Sequence, residues 1–288
     1  MSTPTSSNAA TPAAPVTVRD DVALEAIAAA HWNALVPGQP LLSHAFLAAL
    51  HETGCASPST GWRPRYVTAW RGDRLVGALP LYEKTHSYGE YVFDWAWADA
   101  WRRYGRRYYP KLVGAIPFTP APGPRLIADD DATRAVLLAH ALAQLRDGDR
   151  FSSLHLLFIT DAEAAICSAS GMTIRHGVQF RWENPGHADF DAFLASFNHD
   201  KRKKVKQERR KLAAAGIAFE RRTGRDITAD DWSFFHRCYE STYRAHHSTP
   251  YLTHACFERL GATMADHLLL VVGHRDGTPV CAALDVFD

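Results

Sequence analysis

The sequence predicts an α/β protein made of two domains of similar plan. Three observations carry this. Apolar runs of period two alternate with segments of helical spacing. The order β-α-α-β-β occurs in the first half and again about 204–210 residues later, far too long a period for a solenoid. The closing hairpins of the two copies, "TAWRGDRLVGALPL" (68–81) and "VGHRDGTPVCAALD" (272–285), align without a gap. The boundaries expected are a disordered tail at 1–15, a first domain at 16–185, a connecting segment at 186–216 and a second domain at 217–288. The second copy ends after its hairpin, where the first continues, so it is expected to be a truncated copy.

The elements follow in order. Residues 16–18 open a strand, and 21–36 place Leu24, Ile27, Ala28 and Leu35 near helical spacing before Pro37-Gly38. Residues 42–54 read as a second helix, with Ser43 as its N-cap and Gly54 past its end. Two apolar runs around Arg71-Gly72-Asp73 form a hairpin over 65–82. A strand at 108–118, a proline-stiffened loop at 119–125, a helix at 129–149 and a strand at 152–159 complete the first copy. Acidic residues open that helix, where its dipole favours them. The second copy has a strand at 217–222, helices at 228–247 and 251–267 capped by Thr228 and Thr253, and the hairpin at 268–287.

Composition narrows the functional classes. The 288 residues carry a net charge of +1, which implies no polyanionic partner for the chain as a whole. The five cysteines have no zinc-ligand spacing and read as reduced thiols of a cytoplasmic protein; no metal site is expected. No apolar run approaches the ~18 residues of a membrane span.

One stretch fits none of these elements. "KTHSYGEYVFDWAWADAW" (84–101) mixes Lys84, His86, Ser87, Tyr88, Glu90, Asp94 and Asp99 with Tyr91, Phe93, Trp95, Trp97 and Trp101. A core disfavours the charges and a solvated loop disfavours the tryptophans, whereas a binding cleft uses both. Its alternative is a buried structural network, and Glu90 and Asp94, four apart, would share one face of a strand.

The letters themselves carry a resemblance. "LPLYEKTHSYGEYVFDWAWADAW", "YYPKL", "PFTPAPGPRL" and "STPYLT" resemble, in order, the FemAB-like family of N-acyltransferases of peptidoglycan biosynthesis, over roughly 20–288. The element order resembles the GNAT acyltransferase superfamily. The resemblance implies tandem GNAT-like domains with mixed sheets, and an amide bond made between an activated acyl or aminoacyl donor and an amine. It implies a cleft lined by the strand after the hairpin. The pyrophosphate loop of acyl-CoA-using GNAT proteins is absent: "RRYGRR" (102–107) lacks its second small residue, and the loop in its place has the single glycine Gly123 and three prolines. That loop still offers Arg125 and a helix N-terminus to an anion. Acyl-CoA and aminoacyl-tRNA are both candidate co-substrates, neither tightly bound, with a small-molecule or peptide-like amine as acceptor.

Amine acylation needs a base and oxyanion donors. His86, Glu90 and Asp94 are the candidate bases. Lys84, Ser87, Tyr88, Trp97, Gly123 and Arg125 are candidate substrate-binding residues, and Lys84, His86, Ser87, Tyr88, Glu90 and Asp94 are expected to line one cleft together with Arg125. His246 and Tyr251, in the loop between the second domain's helices, are a further pair. The segment 198–216 carries eight Lys and Arg, of which Lys203, Lys204, Lys206 and Arg210 are candidate anion-binding residues for tRNA or a phosphorylated precursor. The competing reading is a non-catalytic module that binds RNA or anionic lipid through this basic helix.

Overall fold

The computed structural model describes residues 14–146 and 150–288, so residues 1–13 of the tail expected at 1–15 lie outside the described part. The chain forms two compact units, Met1–Thr173 and Ile174–Asp288.

In the first unit, strands β1 (Thr17–Arg19), β2 (Trp62–Pro64), β3 (Val67–Arg71), β4 (Arg74–Leu79) and β5 (Leu81–Lys84) surround α1 (Ala29–Asn33) and α2 (His44–Glu52) in sequence. There follow α3 (Trp95–Arg103), β6 (Lys111–Gly114), β7 (Ile127–Ala128), α4 (Asp131–Ala143), β8 (Leu154–Leu156) and α5 (Asp161–Ala169). They make two four-stranded sheets, ordered β1-β3-β4-β7 and β2-β5-β6-β8. All pairings are antiparallel except β6 with β8, so the second sheet is mixed. Pro80 separates β4 from β5, and the chain changes sheet there. A proline has no N–H for a ladder and suits such a break.

Local rules place the helices. The Ser43 hydroxyl accepts from the Phe46 amide at 3.2 Å, and the α2 it opens buries Phe46, Leu47, Ala48, Ala49 and Leu50. Asp130 caps α4 by accepting from the Thr133 amide at 2.7 Å. Helix α4 buries Leu137, Leu138 and Ala141 and packs over β3 and β4. The approach is close at Gly77 of β4, where a Cβ would lie 2.8 Å from Thr133 Cγ2 and 3.1 Å from Leu137 Cδ1.

The second unit holds α6 (Phe190–Ala195), α7 (His199–Ala214), β9 (Ile217–Thr223), α8 (Ala229–Ala245), α9 (His254–Thr263), β10 (Leu268–Arg275) and β11 (Thr278–Val286). Its antiparallel sheet runs β9-β10-β11, with Leu268, Leu270 and Val272 of β10 buried, as are Trp232, Phe257 and Leu260 of the helices, and α8 packs on β11. Thr228 and Thr253 cap α8 and α9 as their sequence positions predict. Strand order β9-β10-β11 with two intervening helices matches β1-β3-β4 of the first unit, and in each the first helix packs on the third strand.

Three short helices escape the sequence pattern. The expectation that Glu90 and Asp94 share a strand face is wrong: Asp94 sits at the N-cap of α3, and Glu90 lies in the turn before it. Helix α3 buries no residue, and although its apolar side chains gather on one side, nine residues are too few for that period to stand out. Helices α5 and α6, of 9 and 6 residues, are too short for a period to stand out.

Gly77→Leu should overpack the α4 contact and lower stability by about 1–3 kcal/mol. Chemical denaturation measures this, and an unchanged midpoint would mean that α4 is free to lift from the sheet.

Candidate functional site

The loop between β5 and α3 carries the polar residues singled out in the sequence, and β6 supplies the residue that organises them. Lys111, the first residue of β6, is fully buried. Its Nζ donates to Glu90 Oε2 at 2.8 Å, Asp94 Oδ2 at 2.5 Å and Ser87 Oγ at 3.3 Å. Ser87 gives its single proton to Asp94 Oδ1 and accepts from the Tyr109 hydroxyl at 2.7 Å. The Tyr108 hydroxyl donates to Asp94 Oδ2 at 2.5 Å. Lys84, Ser87, Glu90, Asp94 and Lys111 are all buried, and the formal charges of two lysines and two carboxylates cancel.

The second lysine is held differently. Lys84 Nζ lies 3.8 Å from the centre of the Trp62 ring and donates to the Tyr88 carbonyl at 3.2 Å, a carbonyl that also accepts from Trp62 Nε1. Burial lowers its pKa to about 7, against the attraction of Glu90. Burial likewise raises the Glu90 carboxyl, although Lys111 opposes the shift. Burial works on Asp94 in the same direction, but bonds from Lys111, Ser87 and Tyr108 outweigh it and hold the carboxyl below its usual range. Burial and the Asp94 charge push the Tyr108 hydroxyl upward. Glu90 Oε1 has no hydrogen-bond partner among the described residues.

Over this charge core lies an aromatic surface. Tyr88, Tyr91, Phe93, Trp95 and Trp97 are exposed, Trp97 at 61 %. Tyr88 meets Trp95 edge-on with centroids 5.0 Å apart, and Trp95 stacks near Phe93 at 6.2 Å. His86 adjoins Tyr88 at 5.4 Å, and its Nδ1 accepts from the Tyr88 amide at 3.2 Å. Burial, and then the Lys84 charge, lowers the His86 pKa and favours the neutral ring. A Cβ at Gly61 would stand 2.4 Å from His86 Nε2, so that glycine makes room for the imidazole.

The expected single cleft is therefore divided. Lys84, Ser87, Glu90 and Asp94 form a sealed network, while His86, Tyr88 and Trp97 reach the surface. Arg125 belongs to neither group. It is fully buried, and its Nη2 donates to Ala121 O at 2.7 Å and its Nη1 to Pro124 O at 3.1 Å. Burial lowers its pKa to about 10. The amides of Arg125 and Leu126 donate to Glu163 of α5 at 2.6 and 2.5 Å. Gly123 lies against this guanidinium, with a Cβ there 3.4 Å from Nη1. The anion expected at this loop does not fit: Arg125 is fully buried, with both Nη atoms on its own loop's carbonyls and only Nε unpaired among the described residues, and Asp130 caps the N-terminus of α4. In the second unit, His246 follows α8 as its C-cap, and Tyr251 packs on Tyr243 at 5.7 Å while its amide donates to Tyr239. Among the described residues no His, Cys, Asp and Glu group could hold a metal ion.

Sequence reading missed Lys111, Tyr108 and Tyr109. Their signal was the charge in "YYPKLVGA", a lysine inside an apolar strand, which demands a buried partner.

Fold and site together define a mixed α/β protein with a charge-stapled aromatic face. The sequence profile of the FemAB_like family, described as peptidoglycan biosynthesis/recognition, matches residues 23–288, and the chain belongs to that family. FemX, known from a crystal structure, is similar at 14 % identity and a TM-score of 0.47, over 87 % of this chain and 57 % of that one. No curated protein matches the chain. No described helix is long and apolar enough to cross a membrane.

Lys111→Met would leave two buried carboxylates facing each other, and should cost about 3–5 kcal/mol in chemical denaturation. Full stability in that variant would mean that the network is wet. A second expectation concerns pH. Between pH 7 and the ordinary lysine pKa near 10.4, the unfolded chain binds a proton at Lys84 that the folded chain has lost. Stability contributed by this group therefore rises with pH across that window, by at most about 1.4 kcal/mol per pH unit. Lys84→Met should flatten the profile relative to wild type; identical slopes would place the amine in solvent.

Proposed function

We propose that this protein is an N-acyltransferase that joins an activated acyl or aminoacyl group to an amine of a cell-wall precursor in the cytoplasm. The family match over residues 23–288 carries this reading, since it ties nearly the whole chain to peptidoglycan biosynthesis or recognition. The repeated β-α-α-β-β order is consistent with tandem GNAT-like units.

The geometry distributes the roles. Glu90 and Asp94 are engaged by Lys111, which makes them scaffold carboxylates rather than bases. His86 is the one of the three candidate bases at the surface, with a depressed pKa that keeps its ring neutral. In the proposed step the amine nitrogen attacks the acyl carbonyl and forms the C–N bond. The C–O or C–S bond to the donor breaks, and His86, its Nδ1 released from the Tyr88 amide as substrate binds, passes the amine proton to the leaving group. Tyr88, Trp95 and Trp97 shape the acceptor, as aromatic walls do in ligand sites. Arg125 of the loop at 119–125 is fully buried, with both Nη atoms on its own loop's carbonyls and only Nε unpaired among the described residues, so it presents no exposed donor to a CoA pyrophosphate, which favours an aminoacyl-tRNA donor over acyl-CoA in this unit.

The test is mass spectrometry of a muropeptide precursor with a free amine, incubated with the protein and either donor. A mass gain of one acyl group is expected, and His86→Ala should reduce its rate by about 10². Gly61→Val should mimic that loss by displacing the ring. No gain with either donor refutes transfer; full activity of His86→Ala refutes the assigned base.

A further inference from the structure

Helix α3 turns apolar side chains outward. Trp97, Ala100 and Tyr104 are spaced three and four residues apart, so they share one side of the helix, and all three are exposed. Tyr104 is 84 % exposed, more than any ring of the aromatic surface described above. Phe93, just before the helix, is exposed as well. A short helix that buries nothing and shows its rings to solvent contributes little to the core of its own unit. The end of this segment is basic. Asp99 pairs with both Arg102 and Arg103, one carboxylate against two guanidiniums. Arg106 and Arg107, just past the helix, are exposed and have no carboxylate within salt-bridge distance among the described residues. Residues 95–107 thus hold four arginines against one aspartate, an excess of three positive charges.

We propose that this side of α3 and the arginines that follow it dock on the surface of a lipid bilayer with anionic headgroups. Trp and Tyr rings have an apolar body and a polar tip, and they settle where headgroups meet acyl chains. Guanidiniums reach lipid phosphates through charge-assisted hydrogen bonds. A bilayer therefore receives both kinds of group at once, the rings at the acyl boundary and the arginines among the headgroups. An acidic protein surface would engage the arginines and leave the rings in water. With nine residues, α3 lies along the interface; a span needs about 20 apolar residues. Docking is measured without turnover, so its failure and that of the transferase reading are distinguishable. Trp97 is shared with the face assigned to the acceptor, and the variants below leave it intact.

The experiment is co-sedimentation of the full chain with vesicles of phosphatidylcholine and phosphatidylglycerol, and with vesicles of phosphatidylcholine alone. Binding to the anionic vesicles is expected, with much weaker binding to the neutral ones. An arginine beside an anionic surface is worth roughly fivefold in partition, so Arg106→Gln with Arg107→Gln should weaken binding roughly 25-fold. Tyr104→Ser should weaken it several-fold by removing apolar area from the interface. Since α3 buries no residue, these changes leave the core alone, and thermal melting of each variant checks the fold. The basic helix α7 supplies the control: it buries no residue either, and Lys203→Gln with Lys206→Gln should stay within about twofold of wild type. Equal losses in the α7 and α3 variants would overturn the proposal in favour of general surface charge. No binding to either vesicle would refute it. Labelled RNA bound through Arg106 and Arg107, without vesicle binding, would assign the face to a polynucleotide instead. Self-association of the wild-type chain, lost in Tyr104→Ser, would make it an interface between copies.

Discussion

The first unit is organised around one ammonium group. Lys111 is buried at the start of a central strand, and its Nζ reaches two carboxylates and a serine that arrive from a single loop. Removing those charges from water is costly, and only their mutual closeness and the surrounding hydroxyls offset the loss. The consequence is positional. The turn at Glu90 and Asp94 at the N-cap of α3 must both lie within reach of one atom, which fixes the path of the segment between them. The aromatic side chains of that segment face outward because its polar side chains are held inward. This inverts the usual arrangement of a loop, and it explains how Tyr88, Trp95 and Trp97 stay exposed without collapsing onto the sheet.

Trp62 ties this core to the rest of the unit. One ring carries Lys84 at 3.8 Å and contacts Tyr82 and Phe118, each with centroids 5.3 Å away. Tyr82 in turn shares its hydroxyl with Tyr66 at 2.8 Å and His51 at 3.1 Å. Burial lowers the His51 pKa, and Glu25 partly restores it. A continuous line of rings and hydroxyls therefore runs from α2 to the charge core.

Much of the fold was legible because it obeys local rules. The hairpins announce themselves through Gly72 and Gly277, both at positive φ in their turns, and Ser43, Thr228 and Thr253 mark helix starts by chemistry that needs no tertiary context. The unusual character of 84–101 was equally plain. Its internal geometry was not, because proximity across a sheet leaves no trace in spacing. Lys111 lies 17 and 21 residues beyond the carboxylates it neutralises, and only the pairing of β5 with β6 brings them together. Arg125 was misplaced for the related reason that a loop arginine looks available in sequence, whereas here it is fully buried, with its two Nη atoms on its own loop's carbonyls.

Helix α7 stands at the other extreme, with none of its residues buried. Natural selection on stability acts mainly on buried positions, where most substitutions are destabilising. A segment without them escapes that filter. Its charge content can drift, be inverted or be tuned over generations while the rest of the chain stays under constraint. Any persistence of basic residues there among related sequences would therefore report a contact with something outside the fold.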